Sequence, residues 1–487
     1  MSNEAVAAKA HAERVAIISG AVKAFYKQKV AFRIYHGSSN STRAASRQEI
    51  VDISGLKHLI SIDKKNKTAL VEPGIAMDEL LKSLLPHGLM PAVVPEFPGI
   101  TAGGAFAGTA AESSSFRYGY FDKTVSKVEM VLGNGDIVQA SQTENTDLFY
   151  GSAGALGTLG ITTQLEVQLV PCGRYVEVTY IPVNSHAEAL DLFANPSSDI
   201  DFLDAVMFSS QHGVVISGRL SSSTSTKPYP VVRFTRAHDP WFFTHIHRKL
   251  RCAPSSPTMT ELIPIADFLF RYDRGVFWMA AHGWAPLLWN RLTRFFLDRM
   301  WRTRFQYRVV HLIGGTPHII QDLAIPQSNA EDVLSYLHEE YKIYPLWLCP
   351  IKYDPLVSMH TALTSPDPPP EMLVNIGVWG SPNYGADFLR PGTYEAFVRT
   401  NRAIEAKVTD AGGLKWLYAV NYYEEDEFWK VYDKRRYEEL RRKWSAEGLP
   451  SLWEKVRRGR QELRGVTLGG VLRANLYAAL GVDRLVK

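Results

Sequence analysis

The 487 residues exceed what one hydrophobic core ordinarily organises, so two or more folding units are expected. Hydrophobic residues at 46% and charged residues at 21% exclude a disordered chain. A net charge of only +4, without a long basic run, argues against a nucleic-acid binder.

Residues 1–30 carry Glu4, Lys9, Glu13 and Arg14 and lack the apolar stretch and cleavage site of a secretory signal. They read as a short amphipathic helix. Residues 30–37 read as a strand running into a Gly/Ser loop, and 67–74 as a strand ending at Pro73-Gly74. Met77, Leu80, Leu81, Leu84 and Leu85 then recur at helical spacing up to His87-Gly88. Two β-rich runs flank Asn134-Gly135, a hairpin signal. Alternation from Thr162 predicts a strand closing at Pro171.

Around Cys172 the character changes. Residues 217–230 read as a polar loop or linker, 231–310 are aromatic and basic, and 311–420 alternate strand-like and helix-like segments. From Asn421 the chain reads as helical. Cys172, Cys252 and Cys349 are scattered and odd in number, which points away from a disulfide framework or structural zinc and toward a reducing compartment. No uncharged apolar run is long enough to span a bilayer; the nearest, 275–289, is interrupted by His282 and Pro286. The expected location is intracellular, either cytoplasmic or peripheral on a membrane.

Three Gly-bearing segments carry candidate chemistry. The first, Ile34 to Thr42, ends a strand in small donors (His36, Gly37, Ser38, Ser39, Asn40, Ser41), which suits an anion nest or an ordinary polar turn. The second, Pro95 to Phe121, holds Gly99, Thr101, Ala102, Gly103, Gly104, Gly108, Thr109 and Glu112, then Ser113, Ser114 and Ser115. Such a segment lets backbone approach a pyrophosphate or the polar edge of a flavin, or it packs a tight turn against a helix. It does not follow the G-x-G-x-x-G pattern after a strand, so a Rossmann site is not supported. In the third, Gly151, Gly154, Gly157 and Gly160 precede Ile161. Their spacing fits either a closely packed helix face or a loop over a nucleotide.

The order of these segments, with the hairpin between the second and third, resembles the FAD-binding domain of the p-cresol methylhydroxylase/vanillyl-alcohol oxidase superfamily over about residues 30–172. TAGGAFAGTAAESSSFRYGYF followed by TENTDLFYGSAGALGTLG resembles the delta-24 sterol reductases of the Diminuto type more closely. PWFFTHIHRKL, IIQDLAIP, YPLWLCP and LYAVNYYEEDEFWKVYD extend the likeness over most of the chain. The resemblance implies an α+β fold with an FAD-binding domain at 1–172, a substrate (cap) domain at 173–420, and a helical segment at 421–487 packing back near the flavin. It implies FAD held by His36–Ser41, Thr101–Gly104, Gly108, Thr109, Glu112–Ser115, Gly154, Gly157, Gly160 and Ile161. It also implies NADPH as reductant and a sterol or related triterpenoid as substrate. Superfamily members that attach FAD covalently usually present Gly-His-Ser in the first loop. Here the order is His36-Gly37-Ser38, so FAD is expected to be dissociable. Two features depart from the family: the membrane-spanning segment with which its members typically begin is not in this sequence, and the run after about residue 450 does not match the family's pattern.

Reducing an isolated trisubstituted alkene with hydride requires a protein acid, because protonating the less substituted carbon develops charge at the tertiary one. Tyr422 is the first candidate, with Glu112 and Tyr118 behind it. Trp278, Trp284, Trp289 and Trp301, with Arg291, Arg294, Arg299, Arg302 and Arg304, suit a membrane interface, the mouth of a lipid pocket, or an amphipathic helix pair buried on the protein. His245 and His247 lack a third ligand, so no metal site is expected. The alternative activities are an oxidase or dehydrogenase of the same superfamily acting on an alcohol or specialised metabolite, and a non-catalytic lipid-binding protein.

Overall fold

The computed structural model describes residues 3–37, 49–222, 229–252, 258–282, 291–313, 318–355, 370–380, 393–457 and 468–479. Ser38, Ser39, Asn40, Ser41, Trp284 and Trp289 lie outside them.

The N-terminal helix is much longer than the sequence suggested, spanning Asn3–Gln28. Its alanine-rich run favours helix, and it stops where Lys29 turns left-handed at φ 55°. One side buries Val15, Ile18 and Val22 against the parallel pair β1 (Phe32–Tyr35) and β2 (Glu49–Asp52). His11 reaches Glu72 at 2.8 Å, and Arg14 and His58 bond the same carboxylate.

The first large sheet runs β3 (Leu59–Asp63), β4 (Thr68–Val71), β8 (Ile161–Pro171), β6 (Val125–Val131), β7 (Ile137–Ser141). The short β5 (Leu89–Pro91) pairs with the end of β8. All these pairings are antiparallel. In β8, residues 161, 163, 165, 167 and 169 are buried and their neighbours are less so, as the alternation requires. The β6–β7 hairpin turns at Asn134-Gly135, where Gly135 takes φ 89°.

The chain changes sheets between Pro171 and Tyr175. The second sheet has eight antiparallel strands in the order β12 (Met259–Pro264), β9 (Tyr175–Val183), β11 (His212–Ser221), β10 (Phe202–Ser209), β14 (Leu346–Lys352), β15 (Met372–Gly380), β13 (Ile319–Pro326), β16 (Leu414–Lys415). The α+β class therefore holds. The stretch read as a polar linker is in part strand, because β11 continues through Ser221 paired to β9.

The eight-stranded sheet has two different faces. Leu323, Leu346, Leu348, Ile376 and Val378 point outward, where the helices His186–Ala194, Gln327–Glu340 and Thr393–Asp410 cover them. The inner face turns toward the first sheet's connections and carries Trp347, Cys349 and Trp379 in the main core. Strands buried on both sides lose the polar alternation of a solvated sheet, and all but the last two residues of β10 are buried. After β16 the chain returns to the first half through helices at Glu425–Val431, Lys434–Lys443 and Leu452–Val456.

Candidate cofactor and active site

Thr101 caps the short helix Ala102–Ala107, its hydroxyl accepting the Gly104 N–H at 3.2 Å. The N–H groups of Ala102 and Gly103 bond the carbonyls of Ile75 (3.0 Å) and Pro73 (2.8 Å). Gly103 and Gly104 then differ. A Cβ on Gly103 would sit 2.5 Å from Pro73 Cβ, so this glycine serves packing. A Cβ on Gly104 would meet only Thr101 Oγ1, at 3.1 Å. Gly108 packs closely on the Gly104 carbonyl, and Thr109 is buried in a left-handed conformation with its carbonyl accepting from Trp416 Nε1 at 2.8 Å.

Glu112 and the three serines are buried and bonded within the protein. Ser113 gives both its N–H and its hydroxyl to the Glu112 carboxylate. Ser114 donates to the Ala92 carbonyl at 2.9 Å, and the Ser115 hydroxyl accepts the Glu112 N–H at 3.0 Å. Arg271 donates to Glu112 at 3.2 Å and to Asp204 at 2.9 Å. Burial raises the Glu112 carboxyl while Arg271 opposes the rise. Arg271 thus ties residues 112–115 to the inner face of the eight-stranded sheet.

Of the two readings of the third glycine segment, the structure takes the loop. The helix Thr146–Ser152 ends, and Gly154, Leu156, Gly157 and Gly160 all adopt positive φ. The loop lies along helix 102–107 through Gly154 N–H to Phe106 O (3.4 Å) and Leu156 N–H to Ala107 O (3.1 Å), and it leads into Ile161 at the start of β8. A Cβ on Gly157 would find Ile34 Cδ1 at 3.4 Å and Lys455 Nζ at 3.7 Å. The end of β1, with exposed His36 and Gly37 beyond it, is therefore beside this loop. All three glycine segments converge.

Two cations from the C-terminal helices complete this surface, and sequence reasoning passed over both. Lys455 donates to the Leu156 carbonyl and Arg441 to the Thr158 carbonyl at 2.7 Å. The available signal was the S-x-x-E capping box at Ser451 and Glu454, which fixes the helix bearing Lys455. A nest of left-handed glycines, flanking hydroxyls and a lysine is a donor set that fits a diphosphate.

The inner face of the second sheet, reached from Thr101 through Phe97, holds a second group. Asp322 on β13 accepts from the Tyr418 hydroxyl, from Trp379 Nε1 at 3.1 Å and from Asn375 Nδ2 at 3.4 Å. Burial pushes its carboxyl up to about 6. Glu96, aided by its carboxylate neighbours Glu112 and Asp322, is pushed well above the usual carboxylate range by burial. Phe97 meets Phe277, Tyr307 and Trp379 edge-on at 5.3, 5.8 and 5.9 Å. Tyr418 keeps 37% of its surface open. Yet its phenol is raised well above its ordinary value by burial first and Asp322 second. Half-buried Glu96 and Tyr307 show the same combination. Glu96, Tyr307 and Tyr418 thus form a cluster that keeps open surface and lies close enough to Asp322 to feel its charge, with Phe97, Phe277 and Trp379 packed beside it.

The structure does not bring Tyr422 to this cluster. Its ring sits in the outer, helix-covered cluster, 6.1 Å from Phe397, and its N–H bonds Glu405 at 2.8 Å. The reason is local: β16 ends at Lys415, and the chain turns before it reaches Tyr422. Tyr118 is half-buried at the end of helix Ser115–Tyr118, with Arg117 and Asp201 as charged neighbours. His245 pairs with Glu261 at 2.9 Å, and His247 stacks on Phe208. Trp278 is a core residue donating to the Trp379 carbonyl, while Arg302 and Arg304 pair with Asp298 and Asp78.

Comparison with known proteins defines the class first. Residues 6–141 match the family model described as FAD binding domain. The cofactor is therefore FAD, and its domain is at the N-terminal end. Over most of its length the chain is similar to Delta(24)-sterol reductases: that of Homo sapiens is 27% identical over 413 residues, 82% of this chain and 76% of that protein. That of Arabidopsis thaliana is 28% identical over 470 residues, 87% of this chain and 79% of that protein. Cytokinin dehydrogenase 4 of Oryza sativa is 25% identical over 280 residues, 56% of this chain and 50% of that protein.

Proposed function

We propose that the chain is an FAD-dependent, NADPH-driven reductase of the side-chain double bond of a sterol or related triterpenoid. The observation that carries this reading is the cluster of Glu96, Tyr307, Tyr418 and Asp322 next to the rings of Phe97, Phe277 and Trp379. An unactivated alkene needs apolar surroundings and a neutral acid next to the hydride source, and this cluster supplies aromatic rings and neutral acid groups for those roles. The likeness to Delta(24)-sterol reductases along 82–87% of the chain supports it.

In this reading residues 1–172 form the FAD unit, 173–420 the cap and 421–487 the returning tail. FAD, when bound, takes hydride from NADPH and supplies it to the alkene. The 36–41 loop, Thr101–Gly104 and Gly154–Ile161, with Lys455, hold it. Gly108, Thr109 and Glu112–Ser115 fix the shape of the segment between. The His36-Gly37 order favours dissociable FAD, so acid precipitation should leave all the flavin in the supernatant.

We also propose peripheral attachment to a membrane. No helix among the described residues is long and apolar enough to cross one. Helix Arg291–Leu297 instead exposes Leu292, Phe295, Phe296 and Leu297 together, an apolar row suited to the acyl boundary.

The decisive experiment is anaerobic. NADPH should bleach the purified yellow protein, and a delta-24 sterol or triterpenoid should restore the colour with stoichiometric saturated product. The cytokinin dehydrogenase likeness favours one other reading, oxidation of a substrate with electrons passed to O2. Substrate-dependent peroxide formation without NADPH consumption would establish that instead.

A further inference from the structure

We propose that Tyr418 and Asp322 form the proton-delivery pair of this site, with Tyr418 giving its proton to the alkene and Asp322 replacing it. The proposal rests on the reductase reading above and names the acid that reading requires.

Register alone brings the two together. Asp322 lies on the inner face of β13, between the outward Gln321 and Leu323. It pairs with Gly377, where a Cβ would come within 3.1 Å of Asp322 Oδ1. A glycine at this position leaves the carboxylate room. On the other side β16 pairs with β13, and the Trp416 N–H bonds the Asp322 carbonyl at 3.0 Å. The chain then turns, and the Tyr418 hydroxyl comes back over the Asp322 carboxylate.

Asp322 is also electrostatically unlike most of the other buried carboxylates. Glu112 and Asp204 share Arg271, Glu261 has Lys249 and His245, Asp298 has Arg274, and Glu405 has Lys415. Among the described residues no Lys or Arg forms an ion pair with Asp322; its partners are the neutral donors Tyr418, Trp379 and Asn375. A buried carboxylate without a counter-cation is costly to keep, which marks it as a functional group rather than a structural one. Neutral donors let it exist in both protonation states, and burial holds its carboxyl near 6, within reach of neutral pH. Tyr418 is the member of the pair with open surface, while Asp322 is buried.

The step balances as follows. The Tyr418 O–H bond breaks and its proton bonds to the less substituted alkene carbon, using the π electrons. A hydride from the reduced flavin, with its electron pair, bonds to the more substituted carbon. The Asp322 proton moves to the Tyr418 oxygen. Asp322 is left as a carboxylate accepting from Tyr418, Trp379 and Asn375, and solvent reprotonates it before the next turnover.

The test uses the FAD-loaded enzyme and separates its half-reactions. Tyr418→Phe and Asp322→Asn should bind FAD and be bleached by NADPH at the wild-type rate. Their reoxidation by sterol should slow roughly 100-fold or more, the scale of a lost general acid. Wild-type reoxidation should fall as pH rises above about 6, because the protonated Asp322 is the reacting form. Asp322→Asn should abolish that dependence. Infrared difference spectra against Asp322→Asn should show a protonated-carboxyl band that titrates in the same range, independently of turnover. Wild-type reoxidation by both variants, a flat wild-type profile, or a loss found instead in Tyr422→Phe or Glu96→Gln would overturn the pair. A wild-type enzyme that no delta-24 sterol or triterpenoid reoxidises overturns the reductase reading itself, before any variant is compared.

Discussion

The guanidinium of Arg441 donates at 2.7 Å to the carbonyl of Thr158, across 283 positions of sequence. The same side chain reaches the carbonyls of Leu449 and Pro450 at 2.7 and 3.3 Å, so one buried cation fastens the C-terminal helices to the glycine loop. Arg441→Met keeps the apolar stem and strands three carbonyls. It should cost about 2–4 kcal/mol in urea unfolding, from the scale of unpaired buried acceptors. If loop 153–160 holds FAD, the cofactor Kd should also rise about tenfold or more. An unchanged Kd would place the cofactor elsewhere.

Gly103 and Gly104 make a sharper pair of variants. Gly103→Ala forces a Cβ to within 2.5 Å of Pro73, so it should destabilise the fold by about 1–3 kcal/mol, as overpacking does. Gly104→Leu meets little protein, since only Thr101 Oγ1 lies near. It should fold close to normally and lose the flavin. Thermal unfolding of the apo-proteins and the flavin-to-protein absorbance ratio would separate the two effects. A yellow, FAD-replete Gly104→Leu protein would refute the placement of the cofactor at Thr101–Gly104.

Local patterns were legible where a single element determines them. The alternation of β8, the Asn134-Gly135 hairpin and the buried stripe Met77, Leu80, Leu81, Leu84 all appear in the structure, while Leu85 falls in the tighter turn after the helix and is only partly buried. The loop at Gly154–Gly160 was one of two readings, because positive φ at Leu156 is not encoded by spacing. What the sequence could not yield is direction. Tyr418 and Tyr422 lie four residues apart, and only the two-residue strand and the turn after it decide that one faces inward to Asp322 and the other outward to Glu405. Likewise the sequence left Arg302 and Arg304 open between a lipid-facing surface and a helix pair buried on the protein, and tertiary packing supplies Asp298 and Asp78 as their partners.

That pairing changes what membrane attachment should look like. With those two arginines engaged, the exposed row Leu292, Phe295 and Phe296 is left to make the contact. Binding to neutral phosphatidylcholine vesicles should therefore resist high salt and yield to mild detergent. Phe295→Asp with Phe296→Asp should abolish co-sedimentation without affecting NADPH bleaching of the flavin. Co-sedimentation that survives the double variant, or that needs anionic lipid, would remove this helix as the anchor.

The docking of the N-terminal helix should depend on pH in both directions. His11 is raised from 6.5 to about 9: burial opposes the charge, and hydrogen bonds with Glu129 and Glu72 more than offset it. A folded-state pKa above the unfolded one gives stability that is full below about 6.5 and is lost as pH climbs through about 9. Glu72 moves the other way, from 4.5 to about 2, because His11, Arg14 and His58 all bond it against the cost of burial. Its contribution is full above about 4.5 and disappears as pH falls through about 2. Docking of the helix should therefore be strongest between about 4.5 and 6.5. His11→Asn should flatten the alkaline loss and leave the acid loss in place; Glu72→Gln should weaken both, because it removes the partner that helps charge His11. Hydrogen exchange of residues 3–28 across pH 4 to 10 reads the docking directly. Equal protection at pH 6 and pH 10 in the wild type would show that the His11–Glu72 contact contributes nothing to holding the helix.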